Sequence, residues 1–142
     1  MKDNIKHTKI FVYGSLKKGF TNDYVLETLK AQYICTAKTN NKALMYDSGD
    51  GWPYVQFTKD DKGNYQGYHI DGEIHSIPSS SIDMLDRFEG VPDLYKKTHQ
   101  IVTCPKGNEH YCLMYIVTEQ KSYNEVKDKL IENWKEEHND IC

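Results

Sequence analysis

Phe11-Val12-Tyr13-Gly14-Ser15-Leu16-Lys17-Lys18-Gly19 is the stretch on which the reading of the fold turns. Ile10 to Val12 form a short apolar run that reads as a buried strand. It stops abruptly at a glycine, a hydroxyl residue, two lysines and a second glycine. Gly14 has no Cβ, so the backbone there can turn sharply or come close to a ligand. Successive N–H groups in such a turn form a small nest for an anion or a carbonyl oxygen. Taken alone, the stretch is an ordinary turn. A second stretch, Leu85-Asp86-Arg87-Phe88-Glu89-Gly90, gives it a different weight.

Outward from this turn, Thr8 to Tyr13 is the first expected strand. Thr21, Asn22 and Asp23 supply N-cap oxygens for a short helix from Asp23 to Gln32, with Val25, Leu26 and Leu29 facing the core. Tyr33 to Ala37, Ala43 to Tyr46 and Trp52 to Phe57 read as extended segments, and Lys62-Gly63-Asn64 as a hairpin turn. Tyr65 to Ile77 alternates. Tyr68, Ile70, Gly72, Ile74 and Ser76 are expected to point inward, and His69, Asp71, Glu73, His75 and Ile77 outward. Gly72 marks a bend, a bulge or a close approach to a ligand.

Ser80 as N-cap with Asp83 predicts a capping-box helix to Phe88, ended by Gly90 in the left-handed conformation. Strands Lys96 to Thr103 and Tyr111 to Val117 flank a turn at Pro105 to Asn108. A final helix starts at the capping box Ser122 to Glu125, with Val126, Leu130 and Trp134 on its apolar side. Strands dominate and helices are scattered, so the expected fold is α+β on a small mixed, strongly curved sheet.

The 142 residues are expected to form one domain, 1–142. Apolar content of 38% with 11 tyrosines suits an aromatic-rich, partly β core. Net charge is −3 with both signs interleaved, which argues against a nucleic-acid partner. No apolar run approaches the about 18 residues of a membrane span, and no signal peptide precedes the first strand. The expectation is a cytoplasmic protein. Cys35, Cys104, Cys112 and Cys142 make no C-x-x-C pair; a Cys104–Cys112 cross-strand disulfide is conceivable, and reduced, structural thiols are expected. His69 and His75 share a strand face and His110 sits near a turn, but nothing in the sequence completes a ligand set, so no metal is expected.

Glu89 is out of place. Ile82, Leu85 and Glu89 fall at i, i+3 and i+7, which puts the carboxylate in line with an apolar stripe, while Asp83 and Arg87 can pair on the outer face. A buried carboxylate costs several kcal/mol unless paired or protonated. The helix C-terminus also disfavours its ionised form. Both effects push its pKa toward the range of a general acid/base. The other reading, that Glu89 lies past a frayed helix end and points into water, stays open.

Val12-Tyr13-Gly14-Ser15-Leu16-Lys17-Lys18-Gly19 with Asn22, then Gly72-Glu73-Ile74, then Leu85 to Gly90 with Leu94-Tyr95, then Tyr115 resemble the gamma-glutamylcyclotransferase-like family, in particular its gamma-glutamylamine branch, which includes avirulence-induced-protein-like members. The resemblance spans Phe11 to about Val117. It implies a curved or barrel-like sheet with flanking helices, and cleavage of a gamma-glutamyl amide by the substrate's own α-amine to give 5-oxoproline and a free amine. By position, Tyr13, Gly14, Ser15 and Leu16 would form the substrate-binding turn and Glu89 the acid/base. Tyr115 could lend its phenol to the pocket. Tyr95 reads rather as a structural tyrosine.

Such an enzyme needs no cofactor, metal or nucleotide, and its partner is a small gamma-glutamyl molecule. The alternative is a binding module that keeps the pocket without useful catalysis. Lys97 departs from the arginine common in the branch and lacks its planar fork. Oligomeric state and the leaving amine are open.

Overall fold

A computed structural model describes residues 5–14, 16–17, 19, 23–47, 53–93, 95–117 and 130–131. The elements are β1 (His7–Val12), α1 (Asp23–Thr28), β2 (Gln32–Asp47), β3 (Pro53–Gln56), β4 (Tyr68–Pro78), a 3-10 turn (Ser79–Ser81) leading into α2 (Ile82–Glu89), β5 (Tyr95–Thr103), β6 (Glu109–Val117) and β7 (Leu130–Ile131). The expected helix beginning at Ser122 lies outside the described residues, apart from the backbone of Leu130 and Ile131, which pairs as a strand with Met45 and Tyr46.

The sheet closes on itself in the order β2-β4-β1-β6-β5, and a short β2–β5 pairing at Lys38↔Thr103 and Thr39↔Val102 completes a five-stranded barrel. β3 and β7 extend from the far end of β2. β1 runs antiparallel to β4 and parallel to β6, with Ile10 opposite Leu113. The sheet is therefore mixed and strongly curved, as expected of an α+β fold of this kind.

The apolar run of β1 is continuous because both of its faces are covered. Phe11 packs inside the barrel with Ala37, Ile70, Ile74, Val102 and Met114. Ile10 and Val12 pack outside it with Leu26 and Leu29 from the α1 region and Leu85 from α2. The same geometry corrects the expected outer face of β4. Ile77 and His75 are buried, Ile77 within the outer apolar layer and His75 against Glu73, while Tyr68 is exposed. Gly72 is explained without a ligand: a Cβ there would lie 2.5 Å from Phe11 Cζ and 2.5 Å from the Val12 carbonyl oxygen.

Two expected strands between residues 33 and 46 are one. The register with β4 shifts between Lys38 and Lys42, and the buried Thr39 holds the irregularity together. Its hydroxyl donates to the Asn41 carbonyl (2.7 Å) and accepts from the Ile70 N–H (2.9 Å). The polar run that reads as a break is thus a bulge with its hydrogen bonds met. α1 is shorter than expected. It stops as Lys30 enters the left-handed region (φ 63°), with Ala31 N–H donating to the Leu26 carbonyl.

Candidate active site

The site is built on the end of α2. Gly90 adopts φ 73°; its N–H reaches the Arg87 carbonyl and the Val91 N–H the Asp86 carbonyl. This αL stop makes Glu89 the last helical residue, one turn after the fully buried Leu85. The start of the helix differs from expectation. No side-chain cap forms at Ser81, and the capping box at Ser80 and Asp83 is replaced by the 3-10 turn. Its first serine serves β1 instead: Ser79 Oγ meets Thr8 Oγ1 at 2.7 Å and its N–H donates to the Lys6 carbonyl. Asp83 and Arg87 are exposed, and no ion pair joins them among the described residues.

Of the two readings of Glu89, the inward one holds. The residue as a whole is half-buried, but burial of its carboxyl group raises the pKa from 4.5 to about 8. No hydrogen bond or ion pair to this carboxyl is present among the described residues. Its charge, when formed, is felt by Tyr13, Tyr95 and Tyr115, whose phenols are all driven upward, mainly by burial and further by Glu89.

These phenols remain neutral and their protons are committed. Tyr13 donates to the Tyr115 carbonyl and Tyr95 to the Pro53 carbonyl. Tyr115 donates to Asp86 Oδ1 at 2.6 Å. Lys97 takes the other oxygen of that carboxylate at 2.8 Å. Asp86 thus ties Tyr115 to Lys97, a link that the sequence does not announce. The signal of Asp86 itself is its spacing to Glu89 (i, i+3), which sets two carboxylates on neighbouring parts of one helical face. Lys97 needs no planar fork here, since Tyr115 supplies the second donor to the carboxylate.

Gly14 begins a turn in which the Lys17 N–H donates to the Gly14 carbonyl at 3.1 Å. A Cβ on Gly14 would sit 2.9 Å from Pro53 Cδ, so glycine admits the close packing of β3. Leu16 is buried in the same apolar layer as Leu85, Tyr95 and Tyr115. The Lys17 ammonium is lowered by desolvation, an effect opposed by Glu73 and Asp71. The structure therefore gathers Tyr13, Gly14, Leu16, Tyr115 and Glu89 at one end of the barrel, where β1 and β6 finish and β5 begins. Ser15, Asn22, Trp52 and Leu94 lie outside the described residues.

The cysteines correct the sequence reading. Cys35 and Cys104, 69 residues apart, are joined as a disulfide, and Cys112 is a buried free thiol pushed up to about 11 by burial. The histidines do not form a set of their own. His69 Nδ1 lies 2.9 Å from the Thr39 carbonyl, His75 Nε2 3.1 Å from Glu73, and His110 Nδ1 3.0 Å from Lys9 Nζ.

Residues 10–136 match the sequence model of the family described as "Gamma-glutamyl cyclotransferase, AIG2-like". Gamma-glutamylaminecyclotransferase A of Danio rerio is 35% identical over 108 residues, covering 70% of this chain and 61% of the relative, so the chain spans about three fifths of that protein. A putative gamma-glutamylcyclotransferase of Methanocaldococcus jannaschii is 31% identical over 110 residues, covering 78% of this chain and 84% of the relative. The crystal structure of an AIG2-like protein from Mus musculus superposes with a TM-score of 0.78 at 22% identity, covering 91% of this chain and 88% of that one. Among the described residues, no helix is long and apolar enough to cross a membrane.

Proposed function

Since the chain belongs to the gamma-glutamyl cyclotransferase, AIG2-like family, we propose that it cleaves a gamma-glutamyl amide by intramolecular attack of the substrate's α-amine, with Glu89 as the acid/base. The observation that carries this reading is a carboxyl group desolvated to a pKa of about 8 beside Tyr13, the residue at which β1 passes into the glycine turn. A peptide α-amine titrates at about 8, and the α-ammonium of a gamma-glutamyl substrate, held beside its own α-carboxylate, titrates above that. Proton transfer from it to Glu89 is therefore far less uphill than to an ordinary carboxylate, which is what a general base at this position requires.

The steps balance without a further reagent. Ionised Glu89 accepts a proton from the α-ammonium, and the freed nitrogen attacks the γ-carbonyl carbon. The resulting oxyanion needs preorganised donors, and backbone N–H groups of the turn Tyr13-Gly14-Ser15-Leu16 are placed in sequence to supply them. The C–N bond to the leaving amine then breaks. Of the three ammonium protons, one stays on the 5-oxoproline nitrogen and two reach the departing amine, Glu89 carrying them between nitrogens. The nucleophile belongs to the substrate, so the rest of the site has only to hold a folded, near-attack shape. The Tyr115–Asp86–Lys97 contacts stiffen one wall of it, and Tyr115 presents its ring and its oxygen lone pairs to the bound molecule.

The relatives named for gamma-glutamylamines make a gamma-glutamyl-lysine side-chain amide the first substrate to try. The test incubates the chain with that amide, with gamma-glutamyl-amino acids and with glutathione, and follows 5-oxoproline. Release from at least one, abolished by Glu89→Gln, is the expected result. Saturable binding without product would mean a binding module, and turnover unchanged in Glu89→Gln would remove Glu89 from the chemistry.

A further inference from the structure

At the end of the barrel away from Glu89, three side chains converge from separate parts of the chain. Cys35 comes from β2, Cys104 follows β5, and His110 is near the start of β6. One donor atom from each lies within 4.8 Å of the others. Cys104 is buried, and Cys35 and His110 are half-buried, so the group is shielded yet reachable. His110 pairs with Val102 and Tyr115 with Lys97, which separates the two sites by about 17 Å of strand at ~3.4 Å per residue.

We infer that, with Cys35 and Cys104 reduced, these three residues bind a borderline divalent cation of the Zn²⁺ type, leaving a fourth position for water. Two thiolates and an imidazole are the donor set that zinc selects over magnesium or calcium. With bond lengths of about 2.3 Å to sulfur and about 2.0 Å to nitrogen, a tetrahedral ion needs its donors some 3.3–3.8 Å apart. The spacing present here meets that need with small side-chain movements once the sulfurs part. Opening the disulfide takes two electrons from a phosphine or dithiol reductant and two protons from the medium. The cation then displaces both thiol protons, with no further electron transfer. The oxidised chain lacks both thiolates and hence the site.

Lys9 competes for the imidazole. As an ammonium it donates to His110 Nδ1 at 3.0 Å. Coordination through Nδ1 displaces it, and coordination through Nε2 moves the ring proton to Nδ1 and ends the contact as well. Lys9 is exposed and free to swing away.

The test titrates Zn²⁺ into phosphine-reduced chain against a chromophoric chelator. One equivalent per chain is expected, with none bound by the oxidised chain. Replacement of a ligand in Cys35→Ser or His110→Gln should weaken binding by at least about tenfold, since even outer partners of a metal site are worth that much. Cys112→Ser should leave it unchanged and Lys9→Met should tighten it. Co²⁺ should give a thiolate charge-transfer band that falls by half in Cys35→Ser. His110→Gln, at a half-buried position, keeps the test sound if a cysteine variant fails to fold. No uptake by the reduced chain overturns the inference. So does uptake that survives both ligand replacements or that disappears in Cys112→Ser.

Discussion

The Tyr13 phenol donates to the main-chain carbonyl of Tyr115, tying the residue that closes β1 to the strand running parallel beside it. Both partners are buried. Tyr13→Phe keeps the ring and its tilted packing on Phe11 but leaves that carbonyl without its donor. The expected loss is about 1–3 kcal/mol of stability, read from urea unfolding. An unchanged midpoint would show that the carbonyl recovers a partner and that the tie is not what holds the two strand ends together.

Glu89 should make stability fall as pH rises. Its folded pKa of about 8 lies above the ordinary 4.5, so between those values the unfolded chain has lost the proton and the folded chain has kept it. The unfolded state then binds fewer protons, and the free energy of unfolding declines with pH until both states are ionised. Glu89→Gln lacks this term. The variant should gain stability relative to the parent from about pH 5 to about pH 8, and parallel curves would place the carboxyl in water.

The same group sets the pH dependence proposed for turnover. The productive encounter joins ionised Glu89, which titrates at about 8, to a protonated α-amine, which titrates higher beside its α-carboxylate. The profile of kcat/KM should therefore be bell-shaped, rising through about pH 8 and falling again above it as the α-amine deprotonates. A profile flat from about pH 6 to 10 would assign the proton transfer to another group.

The two special glycines should differ. At Gly72 an added Cβ meets the Val12 carbonyl oxygen at 2.5 Å, and backbone cannot step aside. At Gly14 it meets Pro53 Cδ at 2.9 Å and Cγ at 3.1 Å, a ring at the start of a short strand that can shift slightly. Gly72→Ala should cost at least the ~1–3 kcal/mol of an overpacked core and lower Tm more than Gly14→Ala. Gly14→Ala should act on KM, because it moves the turn. The reverse order of Tm would mean that the packing of β3 on the turn is the tighter of the two contacts.

What could be read from the sequence was what local chemistry decides. The αL stop at Gly90, the Pro105–Asn108 turn, the run of β1 and the line that sets Glu89 with Leu85 follow from spacing and glycine placement, whereas the barrel was legible only through the family resemblance. The misreadings fall where a distant partner overrides the local signal. The break expected near Asn40 and Asn41 became a bulge because Thr39 bonds to Ile70. The capping box expected at Ser80 and Asp83 gives way to a 3-10 turn whose first residue, Ser79, bonds to Thr8 of β1. The Cys35–Cys104 pairing spans 69 residues, and nothing near either cysteine announces it. Asp86 lies within the Leu85–Gly90 stretch, but its bonds to Tyr115 and Lys97 exist only once β5 and β6 are folded beside α2.

The parallel seam between β1 and β6 has a consequence for synthesis. Ile10 meets Leu113, so β1 must wait for β6, which follows the other four barrel strands in the chain, before the barrel can shut. A ribosome that has released β1 to β4 exposes a curved sheet with an open flank, and such edges recruit neighbouring chains. Translation that stalls before β6 should therefore yield aggregation-prone fragments that depend on chaperones, while the completed chain does not.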